Sequence, residues 1–142
     1  MKLNLPIDGY ELDHIGVAVE SLESAKATYV AMGWGESETE EVASEKVRVQ
    51  MFDLANQCRI ELIEPTDESS AIAKFLKKRG PGIHHICLRV KDVRATLAKL
   101  KEAQLQLIHE EPFQGAHNCQ VAFVHPKSTG GVLIELSQPG DA

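Results

Sequence analysis

Asp13-His14-Ile15-Gly16-Val17-Ala18-Val19 returns later in the chain as His84-His85-Ile86-Cys87-Leu88-Arg89-Val90. A second echo joins Arg59-Ile60-Glu61-Leu62-Ile63-Glu64 to Val132-Leu133-Ile134-Glu135-Leu136-Ser137. The offset is 71 residues from His14 to His85 and 74 from Glu61 to Glu135. Self-similarity at a near-constant spacing marks a duplicated structural unit. Each copy supplies one His and one Glu from an apolar, strand-like setting. That pattern suggests a two-His, two-carboxylate metal site built by pairing the halves.

Outward from these echoes, each half reads as βαβββ. Residues 11–19 alternate and then run apolar, as a strand with one buried face would. Ser21 is a plausible N-cap, with Leu22, Ala25, Tyr29 and Met32 at helical spacing and Gly33 as the stop. Strands follow over Val47–Leu54 and Cys58–Glu64, joined by Ala55-Asn56-Gln57. In the second half Ile83–Val90 is the first strand, and Asp92 caps a helix that aligns Val93, Leu97 and Leu100. Leu105–His109, Asn118–His125 and Gly131–Ser137 read as its remaining strands. Between the halves, Ser69 or Ser70 opens a short helix through Ile72, Phe75 and Leu76. It ends in Lys77-Lys78-Arg79-Gly80, where cations suit the helix dipole. The predicted class is α+β: two paired βαβββ modules, about 11–65 and 83–138, forming a curved sheet around a metal cleft within one domain over 1–142.

A single His on an apolar strand is usually a hydrogen-bonded core residue. A Glu flanked by Ile and Leu is less at ease, because carboxylates are rarely buried unless paired or bound to metal. Two such Glu residues, at matching places in a repeat that also doubles a His, favour ligation. Period two puts Glu61 on one strand face with Arg59 and Ile63, and Ile60 and Leu62 on the helix side. Two imidazoles and two carboxylates suit a divalent Co, Ni, Mn or Zn ion. Four protein ligands on an octahedral ion leave two positions to chelate substrate oxygens.

Bulk properties narrow the function. With 142 residues there is room for a sizeable core, and 43% hydrophobic with 25% charged residues is ordinary for a soluble globular protein. A net charge of -6 argues against a nucleic-acid surface. No apolar run reaches the ~20 residues that span a bilayer, and the N-terminal residues lack a secretory pattern. Cys58, Cys87 and Cys119 are odd in number and widely spaced, so reduced packing residues and a cytoplasmic setting are expected.

The residues also resemble a known family. Leu12–Val19, Ile60–Pro65, Ser70–Leu76, Gly80–Cys87, Glu111-Pro112 and His125–Leu136 together are similar to methylmalonyl-CoA epimerases, members of the vicinal oxygen chelate (glyoxalase-like) superfamily. The likeness runs from about Glu11 to Gln138. Its most specific parts are Gly82-Ile83-His84-His85-Ile86 and the ending His125-Pro126-Lys127-Ser128 through Gly130-Gly131-Val132-Leu133-Ile134-Glu135-Leu136. The resemblance implies that His14, Glu61, His85 and Glu135 ligate a divalent metal, cobalt first among the candidates. It implies interconversion of (R)- and (S)-methylmalonyl-CoA, an acyl-CoA substrate, and a homodimer. In the family a glutamate on each side of the α-carbon has been proposed to move the proton, one of them being the last metal ligand.

Here the chain departs from some relatives. The second glutamate falls on the strand corresponding to Val47–Phe52, and no Glu occurs between Glu45 and Glu61. Glu135 keeps its place as the candidate catalytic base. Gln50 could orient a water or a substrate oxygen, or be a solvated strand residue. Lys127, Ser128 and Thr129 could receive the substrate carboxylate or thioester, or form a tight turn. Lys74, Lys77, Lys78 and Arg79 could attract coenzyme A phosphates, or be a solvated helix face. His84, His109, His117 and His125 are read as structural or surface residues.

Three rival readings share the fold. Bacterial glyoxalase I (lactoylglutathione lyase) has the same ligand set, but its aromatic Phe-Tyr…Leu-Gly pattern is replaced here by Tyr29-Val30-Ala31-Met32-Gly33-Trp34. Extradiol dioxygenases use three ligands rather than four. Metal-free binding modules usually lack the ligands.

Overall fold

The computed structural model describes residues 9–35 and 38–140. It divides into two compact units. One runs from His14 to His85; the other comprises the residues from Ile86 onward with those before His14.

The unit His14–His85 is built on β1 (Glu11–Ala18, whose first residues belong to the other unit), α1 (Leu22–Ala31), β2 (Thr39–Val42), β3 (Val47–Asp53), β4 (Arg59–Pro65), α2 (Ala71–Arg79) and the start of β5 (Gly82–Arg89). Its strands hydrogen-bond in the order β2-β3-β4-β1, with β1 parallel to β4 and the other pairs antiparallel. Ser21 caps α1 by accepting from the Ser24 N–H, and Gly33 ends it at φ +89°, a conformation in which a β-carbon is strained. Val19, Leu22, Phe52 and Leu62 form the core, with Ile60, Ala25, Tyr29 and Trp34 packed around them. The Tyr29 and Trp34 rings stack at 4.9 Å. Met32, expected to continue the apolar helix face, lies beyond the helix at its C-cap and is exposed. Strand β2 was not anticipated, since Thr39-Glu40-Glu41-Val42 has no buried position to reveal it.

The other unit contains the remainder of β5, then α3 (Val93–Glu102), β6 (Phe113–Gln114), β7 (Gln120–Val124) and β8 (Ile134–Gln138). These strands follow the order β5-β8-β7-β6, again with one parallel pair, β5 with β8. Asp92 accepts from the Ala95 N–H at 3.0 Å, and Gln138 Oε1 takes the Val93 N–H. Val93 and Leu97 join Val90, Ala122, Val124 and Leu136 in an aliphatic core. Leu105–His109 does not form the strand expected of it. Gln104 adopts φ +67°, and Ser128 Oγ takes the Gln106 N–H. A single antiparallel bridge, Leu107 to Val124, forms there, with Ile108 N–H bonded to Phe123 O and His125 N–H to Gln106 O, and the short outer strand falls at Phe113–Gln114 instead. The three cysteines are free thiols.

Candidate metal centre

His14 enters from β1 and Glu61 from β4. The parallel register sets Gly16 opposite Glu61 and His14 opposite Arg59. Cross-strand partners share a face, so His14, Gly16 and Glu61 lie on one side of this sheet. Ile60 and Leu62, on the other side, pack against the core under α1. This is the alternation predicted from sequence.

His85, on β5, belongs to the same unit and completes a three-residue cluster. Its Nε2 lies 3.2 Å from Nε2 of His14. Glu61 Oε1 lies 3.4 Å from His14 Nε2 and 3.7 Å from His85 Nε2. The two rings stand nearly perpendicular, at 81°. All three side chains are buried.

These separations fit a shared ion. Donor atoms about 2.1 Å from one cation stand about 3.0 Å apart at right angles and about 3.4 Å apart in a tetrahedron. Two imidazole nitrogens and one carboxylate oxygen form a borderline-hard donor set for a divalent ion. Burying a carboxylate without a cation would be costly.

Two further residues adjoin the cluster: one that sequence reasoning did not single out, and one that it read as structural or surface. A β-carbon on Gly16 would fall 2.2 Å from Cε1 and 2.6 Å from Nε2 of His85. The imidazole occupies the space a side chain would need, so only glycine fits. The signal was present in the sequence as a glycine two residues after His14. His84 is the other: its Nδ1 lies 2.9 Å from Nδ1 of His85. The remaining histidines make local contacts within the other unit. His109 Nδ1 accepts from the Phe123 N–H, and burial holds its imidazole below the usual histidine range. His125 Nδ1 accepts from the Lys127 N–H, and His117 sits in a short turn at φ 57°.

Glu135 lies on β8 of the other unit, half-buried, with Cys87 and Phe123 as its strand partners. Its neighbour Leu136 points into the aliphatic core. Glu135 therefore holds the same place in its sheet as Glu61 does in its own.

The reading of Gln50 as a solvated strand residue must be corrected. Gln50 is buried, and it pairs with Leu62 while Phe52 pairs with Ile60. Its side chain thus leaves β3 on the helix side, opposite to Glu61. Val49 and Met51, both buried and apolar, share the Glu61 side. The Lys127–Thr129 segment is a compact turn. Ser128 Oγ accepts from the Gln106 N–H at 2.7 Å, Thr129 Oγ1 donates to the Val132 carbonyl, and Lys127 extends into solvent. Lys77, Lys78 and Arg79 form the last turn of α2, with the Arg79 guanidinium 5.9 Å above the Phe75 ring.

Residues 13–123 match the glyoxalase/bleomycin resistance protein/dioxygenase superfamily. The ethylmalonyl-CoA/methylmalonyl-CoA epimerase of Cereibacter sphaeroides is 41% identical over 130 residues, covering 89% of this chain and 96% of that protein. The chain belongs to the methylmalonyl-CoA epimerase family. Among solved structures, the Mycobacterium tuberculosis methylmalonyl-CoA epimerase aligns with a TM-score of 0.90 at 36% identity, over 99% of this chain and 94% of that one. A methylmalonyl-CoA epimerase in complex with methylmalonyl-CoA and NH4+ aligns at 0.86 and 34% identity, over 92% and 95%. The vicinal oxygen chelate architecture read from the repeat is therefore this family's fold. No helix among the described residues is long and apolar enough to cross a membrane.

Proposed function

We propose that this protein is a metal-dependent epimerase that interconverts (R)- and (S)-methylmalonyl-CoA. The observation that carries this reading is the convergence of His14, Glu61 and His85. Relatives about 40% identical that are named for that activity support it. Glu135 is the fourth ligand, assigned from its place in the repeat and its β8 register. Cobalt is the first choice of ion, with nickel, manganese or zinc as substitutes. A divalent ion held there supplies Lewis acidity, drawing electron density from substrate oxygens so that the α-proton becomes removable.

The chain's own residues then divide the work. His14, His85 and Glu61 fix the centre from rigid strands, and Gly16 leaves the room that His85 fills. Glu135 is the base: the α-C–H bond breaks, its electron pair passes into the enolate, and the proton goes to the carboxylate. Inversion needs a proton delivered to the opposite face. On the Glu61 side β3 carries the buried, apolar Val49 and Met51, with the exposed Asp53 at its end and no glutamate. Lys127, exposed beside the Gly130-Gly131 turn, is a candidate contact for the substrate carboxylate or thioester.

The test uses one epimer of methylmalonyl-CoA with protein stripped by chelator and then reloaded with Co²⁺. Inversion should be lost on stripping and return on reloading. Turnover of the methylglyoxal–glutathione hemithioacetal without inversion would move the protein to the glyoxalase I reaction.

A further inference from the structure

His85 is engaged at both ends of its ring. Nε2 faces His14 and Glu61, whereas Nδ1 lies 2.9 Å from Nδ1 of His84. Two ring nitrogens at that distance share one hydrogen, one donating and the other accepting. An imidazole that ligates a cation through Nε2 carries its single N–H on Nδ1, and the partner of that N–H sets tautomer and ring orientation. His85 is therefore the donor and His84 the acceptor.

We propose that His84 is a positioning residue for the metal centre: by accepting from His85 Nδ1–H it holds the His85 ring with its Nε2 lone pair toward His14 and Glu61. This rests on the metal reading above. The acceptor is itself braced, since Phe75 of α2 meets the His84 ring edge-on at 5.0 Å and 87°. The linking helix α2 thus reaches the centre through a short relay from Phe75 to His84 to His85. On the opposite flank, the bare Cα of Gly16 closes the slot that holds the ring. The adjacent histidines divide the task, one ligating and one orienting.

The test is a Co²⁺ titration of the full-length, metal-stripped protein, reading visible absorption and competition with a chelator. His84→Phe keeps the aromatic packing and removes the acceptor. It should bind Co²⁺ about 10–100-fold more weakly than wild type, the range found for such supporting groups, with the unfolding midpoint of the stripped protein unchanged. His84→Asn places Oδ1 near the lost Nδ1 and should recover most of the affinity. If His84→Phe fails to fold, His84→Leu serves as the comparator of Asn-like size. A variant without the acceptor that binds as tightly as wild type would overturn the proposal. So would an Asn variant as weak as that comparator, because packing alone would then explain the loss. Wild-type protein that binds no Co²⁺ would instead overturn the metal reading itself.

Discussion

In the first half of the chain, the residue two beyond the histidine stands opposite the glutamate: Gly16 against Glu61. In the second half Cys87 stands opposite Glu135 in the same way. Even the hydrogen bond beyond each pairing is repeated, from Val19 N–H to Ile63 O and from Val90 N–H to Ser137 O, both at 2.9 Å. Behind that shared register the cores differ. The first is aromatic, with Phe52, Tyr29 and Trp34 around Leu62; the second is aliphatic, with Val93, Leu97, Val124 and Leu136. The lesson concerns constraint: placing a ligand demands a fixed register, while filling the space behind it demands only volume. The position between ligands diverges for a local reason, because the His85 ring lies over Gly16.

The sharpest way to break this comparison is to truncate each core. Phe52→Ala should cost about 3–5 kcal/mol and Leu136→Ala about 2–5 kcal/mol in urea unfolding. Both side chains are essentially inaccessible to solvent. Equal, small losses would show that neither core carries its half. A closer probe exchanges the middle residues. Gly16→Ala should destabilise by about 1–3 kcal/mol through overpacking against His85 and should weaken Co²⁺ binding. Cys87→Ala removes one buried sulfur and should cost about 1 kcal/mol. Gly16→Ala with unaltered metal affinity would show that the slot around His85 is loose.

The helix starts sharpen the comparison at lower energy. Asp92 meets its amide at 3.0 Å and Ser21 meets its own at 3.3 Å. Asp92→Ala should therefore cost about 1 kcal/mol and Ser21→Ala about half as much, read from thermal midpoints.

The smallest effect is a pH dependence that His109 contributes to module two. Burial lowers the folded-state pKa of His109, so below the unfolded value the unfolded chain takes up the proton first. Stability from this site is complete above about pH 6.5 and declines as pH falls through the depressed folded value. His109→Asn keeps an acceptor for Phe123 N–H and should lose less stability than wild type between pH 7.5 and 5. Parallel curves for the two proteins would remove His109 as the cause.

Much of this was legible because the features lie in periodicity and capping. The repeat pointed to His14, Glu61 and His85, which the structure brings together, alternation separated Glu61 from Leu62, and Ser21, Asp92 and one of Ser69 and Ser70 marked the helix starts that the structure contains. What stayed hidden depends on register between distant segments. Gln50 reads as polar and available, and only its pairing with Leu62 reveals that it faces the helices. Thr39–Val42 hides because an outer strand need not bury any residue. Leu105–His109 misleads in the opposite sense: its residues favour a strand and bond β7 through Ile108 N–H to Phe123 O and His125 N–H to Gln106 O, but Ser128 Oγ takes the Gln106 N–H and the pairing stops at one bridge. His84 was invisible because its significance is a tertiary contact with its own neighbour.

The central claim is the proposed one, that the chain is a metal-dependent epimerase with Glu135 as its base. It is tested most directly by α-deuterium uptake. Co²⁺-loaded protein and a single epimer of methylmalonyl-CoA are mixed in D₂O, and uptake and inversion are followed together for wild type and Glu135→Gln. The account predicts rapid uptake with inversion in the wild type, abolished by chelator and reduced about 10²–10⁴-fold by the substitution. Undiminished uptake in metal-loaded Glu135→Gln would contradict Glu135 as the base, and wild-type protein that binds Co²⁺ yet exchanges no deuterium would contradict the epimerase itself.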